Sequence, residues 1–150
     1  GVQAISIEDI RWGRCDIKSV NLLANVLARQ RAKEAGVFEA ILVREGGVTE
    51  GSVSNVMIVR NGTIHTAPEG PRILSGVTRT IVLELARKEG IPVVEVCPAL
   101  DELRTASEVF LTGTTVEVLP VVGVDGQPIG AGSPGPISQL LSRRLEALVG

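Results

Sequence analysis

Asn61-Gly62, set between the β-branched runs Asn55–Arg60 and Thr63–Thr66, constrains this fold more than any other stretch of the chain. An Asn-Gly pair supplies the two positive-φ residues of a type I′ turn, whose twist matches that of the strands it joins, and is the strongest short hairpin signal. Phe38 to Arg44 is also apolar and β-branched enough for a strand. Pro92–Val96, Glu108–Leu111 and Val116–Val124 read as extended, the last leading into a turn at Asp125-Gly126.

Three helices are expected among these strands. Over 19–36, Val20, Leu23, Ala24 and Leu27 repeat at helical spacing, Ser19 is placed to cap the start and Gly36 to end it. Over 77–89, Val77, Ile81 and Leu85 form one stripe and Gly90 is the stop. The last helix opens with Pro136 and carries Ile137, Leu140, Leu141, Leu145 and Leu148 on one face. A helical turn is expected at Leu100–Leu103. The stripes of the first and last helices read as core or interface. Hairpins mixed with helices, without regular βαβ alternation, predict an α+β arrangement.

At 150 residues there is room for about one domain, which buries roughly two-thirds of its unfolded surface. Only Trp12, Phe38 and Phe110 are aromatic, so the core must be built from Val, Leu, Ile and Ala. Fifteen Lys plus Arg face 17 Asp plus Glu, a net charge of −2, so no basic stripe suits nucleic acid or a membrane surface. No apolar run approaches the roughly 20 residues of a membrane span. There is neither a signal segment nor a starting Met, so the chain reads as a processed or excised piece. Cys15 and Cys97 lie far apart and outside any Cys-x-x-Cys, and His65 is the only histidine. Neither a disulfide nor a metal site is expected, and a reducing cytoplasm is the default.

Several short segments could carry chemistry. Lys18 stands immediately before the first expected helix; a desolvated lysine forms Schiff bases, but most lysines at such junctions point into water. Glu50 lies in the run Thr49-Glu50-Gly51-Ser52-Val53-Ser54-Asn55, where a carboxylate usually caps something or sits in solvent, but could instead hold a proton on a heteroaromatic nitrogen. Ser75-Gly76-Val77-Thr78 opens the second helix and could hold phosphate on free N–H groups, although capping by Ser75 is the commoner use of such a start. Thr112-Gly113-Thr114-Thr115 follows a strand and offers similar donors, and two such turns suggest an anion cup. Gly130-Ala131-Gly132-Ser133-Pro134-Gly135 matches a dinucleotide fingerprint, but it follows a turn and Pro134 interrupts the N–H series, so it is rejected.

Taken together, Asp9 to Asn21, Thr49 to Ser52 with Ser54-Asn55, Leu74 with Gly76-Val77-Thr78-Arg79, and Thr112 to Thr115 resemble the fold-type IV pyridoxal-phosphate enzymes. Arg14-Cys15-Asp16-Ile17-Lys18-Ser19 is most similar to the D-amino-acid aminotransferase branch. The resemblance implies a mixed-sheet α/β pseudo-barrel, the large domain of these enzymes, over residues 1–150, with the smaller N-terminal domain absent. It implies pyridoxal 5'-phosphate as cofactor and transfer of an amino group from a D-amino acid to a 2-oxo acid. An aminodeoxychorismate lyase of the same fold, or a domain that binds and assembles without chemistry, are the alternatives.

The roles that follow are those of the family. Lys18 would form the Schiff base and shuttle a proton between the substrate Cα and the cofactor C4′. Glu50 would keep the pyridine nitrogen protonated, and Leu74 would pack on the ring. Ser54, Gly76, Val77, Thr78, Gly113 and Thr114 would complete the cofactor site, with Val77, Thr78 and Thr114 on the phosphate. Arg11 is offered as a partner for Glu50. Val53 departs from the serine many relatives carry there. A homodimer is expected, and weak or no turnover by this chain alone, because the missing domain supplies much of the substrate-carboxylate trap.

Overall fold

A computed structural model describes residues 1–150. The strands are β1 (Val2–Glu8), β2 (Glu39–Arg44), β3 (Gly47–Gly51), β4 (Asn55–Arg60), β5 (Thr63–His65), β6 (Val93–Val94), β7 (Glu108–Gly113), β8 (Glu117–Val124) and β9 (Gln127–Pro128). The helices are α1 (Leu23–Glu34), α2 (Val77–Lys88), α3 (Leu100–Arg104) and α4 (Pro136–Val149). All strands join one sheet in the order β3-β2-β1-β8-β7-β4-β5-β6, with β9 beside β8. Strand β3 stands at one end of this order, yet it runs into β4, the sixth member, through a turn closed by Gly51 N–H donating to Ser54 O (2.7 Å). A sheet whose first and sixth strands are joined by so few residues must curl on itself, and this produces the expected pseudo-barrel.

Period-two alternation divides the core. Val56 and Ile58 of β4 and Val109 and Leu111 of β7 join Ala4, Ile41 and Val121 in one cluster. Met57, Val59 and Phe110, on the opposite face of the same strands, pack under Val82, Leu83 and Ala86 of α2 and Leu141 and Leu145 of α4. Helix α1 covers β1 and β2 with Ala28 and Ala32 against Ala40 and Leu42.

Three two-residue turns carry positive φ at both positions: Asn61-Gly62 as expected, Asp125-Gly126, and Glu45-Gly46 between β2 and β3. The third lacks the Asn or Asp that makes such turns readable, so β3 is not foreseen by the sequence. Nor is β1, which lies between β2 and β8 and is parallel to both. Its link to β2 through α1 is a βαβ crossover, as is the link from β5 to β6 through α2; the other pairings, apart from β1 with β8, are antiparallel.

Helix α1 corrects the expectation twice. It starts at Leu23 rather than after Ser19, whose hydroxyl instead accepts from Asn21 N–H (3.2 Å). The stripe of Val20, Leu23 and Leu27 is exposed, and the small residues Ala28 and Ala32 form the buried face because the helix lies close against the sheet. Gly36 ends the helix region as expected, at φ 70°.

Candidate functional site

The residues expected to form the site come from four separate stretches, and all of them line one cavity of about 440 Å³. Lys18 reaches it from the irregular segment between β1 and α1, Glu50 from the end of β3, and Ser54 from the β3–β4 turn. Leu74, Gly76, Val77 and Thr78 lead into and open α2, and Gly113 and Thr114 close β7. Glu50 is buried, whereas Lys18 is exposed at the mouth.

Glu50 is held from three sides. Arg11 donates to Oε1 through Nη1, Asn55 Nδ2 donates to Oε2 (2.9 Å), and Leu74 N–H donates to Oε1 (3.1 Å). Asn55 also donates to Leu74 O (2.9 Å) and accepts from Gly76 N–H (3.3 Å), so one amide ties the carboxylate to the entry of α2. A Cβ at position 76 would stand 2.6 Å from Asn55 Oδ1, which is why glycine sits there.

That glycine is also the N-cap of α2, in place of the Ser75 cap the sequence suggested. Ser75 Oγ donates to Glu69 (2.7 Å) instead, and no side chain caps the first turn. The leading N–H groups of an uncapped helix carry partial positive charge and need an acceptor. Helix α4 makes the contrast: Glu108 accepts from Ile137 N–H (3.0 Å) and Ser138 N–H (2.9 Å), so the glycine-rich run before it ends on a closed helix start. Thr112, fully buried at the cavity wall, leaves its hydroxyl without a partner.

The β3–β4 turn is organised from below by Glu39, which is fully buried. It accepts from Ser52 Oγ, Ser54 Oγ (2.9 Å) and Ala40 N–H (2.9 Å). The Ser54 hydroxyl hydrogen is thus directed into Glu39 while the residue lines the cavity. Sequence reasoning singled out Arg11 for Glu50 but missed Glu39 and the joining role of Asn55. Their only signals were a carboxylate and an amide at strand starts, where long-range pairing is invisible.

Burial pushes the Glu50 carboxyl up to about 7, against the pull of Arg11 and Leu74 N–H. Burial would lower Arg11, but its hydrogen bonds to Asp9 and the charge of Glu50 raise it. For Glu50 the folded chain therefore holds more protons than the unfolded chain between 4.5 and about 7. Its contribution to stability is full below that window and declines as pH rises through it, by about 3 kcal/mol in the cofactor-free protein. Denaturant unfolding at several pH values should show this decline relative to Glu50→Gln; equal slopes for the two proteins would contradict it.

A buried carboxyl near neutrality, an uncapped helix start and a second Gly-Thr turn form a site suited to a planar cation joined to a dianion. Pyridoxal 5'-phosphate has this shape: its ring nitrogen would meet Glu50 and its phosphate the two turns. The residues present fit it.

The amino-transferase class IV family model matches residues 3–124. The chain belongs to the class IV aminotransferases. It is 50% identical over 146 residues to the D-alanine aminotransferase of Bacillus licheniformis, covering 97% of this chain and 52% of that protein. It is 46% identical over 141 residues to that of Listeria innocua, covering 94% and 49%. The chain therefore spans about half the length of the curated relatives it matches. Among solved structures, the branched-chain aminotransferase of Thermobaculum terrenum in its PLP form superposes with a TM-score of 0.90 at 31% identity, covering 99% of this chain and 50% of that one. No helix is long and apolar enough to cross a membrane.

Proposed function

We propose that this chain is the cofactor-binding part of a pyridoxal 5'-phosphate-dependent aminotransferase that passes the amino group of a D-amino acid to a 2-oxo acid. The observation that carries the reading is the convergence of Lys18 and Glu50 on one cavity with both N–H-bearing turns. The relatives named D-alanine aminotransferase support the choice of a D-amino acid and of transfer over elimination.

When bound, the cofactor supplies an electron sink for the pair left at the substrate Cα. The remaining work falls to the protein. Lys18 Nζ would hold the cofactor covalently and, when free, would carry the proton to and from the substrate Cα. Glu50 retains the proton on the ring nitrogen; a positive partner favours its ionised form, which burial alone disfavours. Arg11 and Asn55 fix the direction of that carboxylate. Leu74, which lines the cavity, would pack on the ring. Val77 and Thr78 present N–H groups and a hydroxyl to the phosphate, joined by Gly113 and Thr114, while Ser54 and Gly76 shape the walls.

A homodimer in a reducing cytoplasm completes the proposal. It is supported by the two free thiols and by the exposed apolar residues Val20, Leu23 and Leu27 beside the site. The test is borohydride reduction of the complete protein loaded with pyridoxal phosphate, followed by peptide mapping. The cofactor is expected on Lys18; fixation elsewhere, or none, overturns the assignment.

A further inference from the structure

Asp9 takes no part in the chemistry described above, yet it is a carboxylate with a side chain 0% exposed, next to the site. Its backbone N–H donates to Val43 O (2.8 Å), which attaches it to β2. Its side chain receives Arg11 Nε at Oδ1 and Arg11 Nη2 at Oδ2, both at 2.9 Å. These two bonds take one edge of a planar guanidinium and leave Nη1 for Glu50. The Arg11 side chain is only 6% exposed, so water does not replace a lost partner at little cost.

Two further contacts tie Asp9 to the elements that carry the site. Thr49, the neighbour of Glu50 on β3, donates its hydroxyl to Asp9 Oδ2 (2.9 Å). Arg44 of β2 has Nη2 3.1 Å from Asp9 Oδ1, and the same nitrogen donates to Arg11 O (2.9 Å) at the start of the segment leading to Lys18. The charged and titratable groups facing Asp9 are thus Arg11 and Cys15 from its own segment, Arg44 from β2 and Glu50 from β3. Arg72 offers Arg11 only its backbone carbonyl. Two guanidinium groups balance two carboxylates.

We infer that Asp9 is a positioning residue: by holding one edge of Arg11, it keeps the Glu50 carboxylate turned into the cavity, and its charge offsets the positive charge of Arg11 and Arg44 that would otherwise disfavour a cation there. This rests on the reading of the site as a pyridoxal phosphate site. Asp9 touches neither cofactor nor substrate and acts through Arg11. Neutralising it leaves Arg11 and Arg44 facing Glu50 alone, and the excess positive charge disfavours a protonated ring nitrogen. Neutralising Arg44 does the reverse, and more weakly, because that side chain is 19% exposed.

The test is a pH titration of the visible absorption of bound pyridoxal phosphate in the complete holoenzyme, comparing wild type with Asp9→Asn and Arg44→Gln. Asp9→Asn is expected to move the midpoint down by about one unit, and Arg44→Gln to move it up by a smaller amount. A purely structural Asp9 would lower thermal stability and leave the midpoint in place; unmoved midpoints in both variants overturn the inference. Should Asp9→Asn not fold, Arg44→Gln decides alone: an upward shift supports the inference, and no shift or a downward one overturns it. Failure of the parent reading is distinct, because wild type would then show no cofactor fixed on Lys18.

Discussion

Lys18→Ala is expected to lower amino transfer from D-alanine to a 2-oxo acid by about 10⁴-fold in the complete protein, since it removes both the covalent anchor and the proton carrier. The loss should come with little change in unfolding free energy. Lys18 is exposed on an irregular segment, and surface substitutions of this kind stay within about 0.5 kcal/mol. Steady-state kinetics beside thermal unfolding would separate the two effects. Activity within about tenfold of wild type would remove Lys18 from the mechanism, because a lost proton carrier alone costs more than that.

Glu50→Gln is expected to reduce kcat by about 10²–10³-fold while the cofactor still becomes fixed on Lys18. A neutral amide cannot stabilise a protonated ring nitrogen. It also turns one NH₂ toward the donors Arg11 and Asn55, which now have a single oxygen between them. Because Lys18 is untouched, borohydride trapping should succeed and only turnover should fall. A variant that traps cofactor and turns over like wild type would mean that Glu50 merely satisfies Arg11.

The two predictions differ in how visible their residues are in sequence. Lys18, Glu50 and the two Gly-Thr turns are visible as candidates because each sits in a short local motif, although only the resemblance to the fold-type IV enzymes gave Lys18 and Glu50 their expected roles. The hairpin at Asn61-Gly62 and helices α2 and α4 are legible for the same reason, through turn chemistry and apolar spacing. Helix α1 misleads because its most apolar stripe is exposed and its buried face is alanine, where close approach to the sheet matters more than hydrophobicity. Strand β3 is hidden by a Glu-Gly turn outside the usual dipeptides. Ser75 has the composition of a cap and does not serve as one; Glu69 takes its hydroxyl, and the open helix start this leaves is what suits the site to phosphate.

The amino-acid order by itself thus specified which groups are available: the lysine, the carboxylate, the donors, and the periodicities that make strands and helices. Their convergence was decided by closure of the sheet. The short β3–β4 turn forces the barrel to curl, and this carries Glu50, Asn55 and the end of β7 to one mouth. The link from Asp9 through Arg11 to Glu50 spans 41 positions, and those from Glu39 to Ser52 and Ser54 span 13 and 15. Such pairings leave no periodic trace in a sequence, because buried charge finds its partner only when the fold has removed water from both.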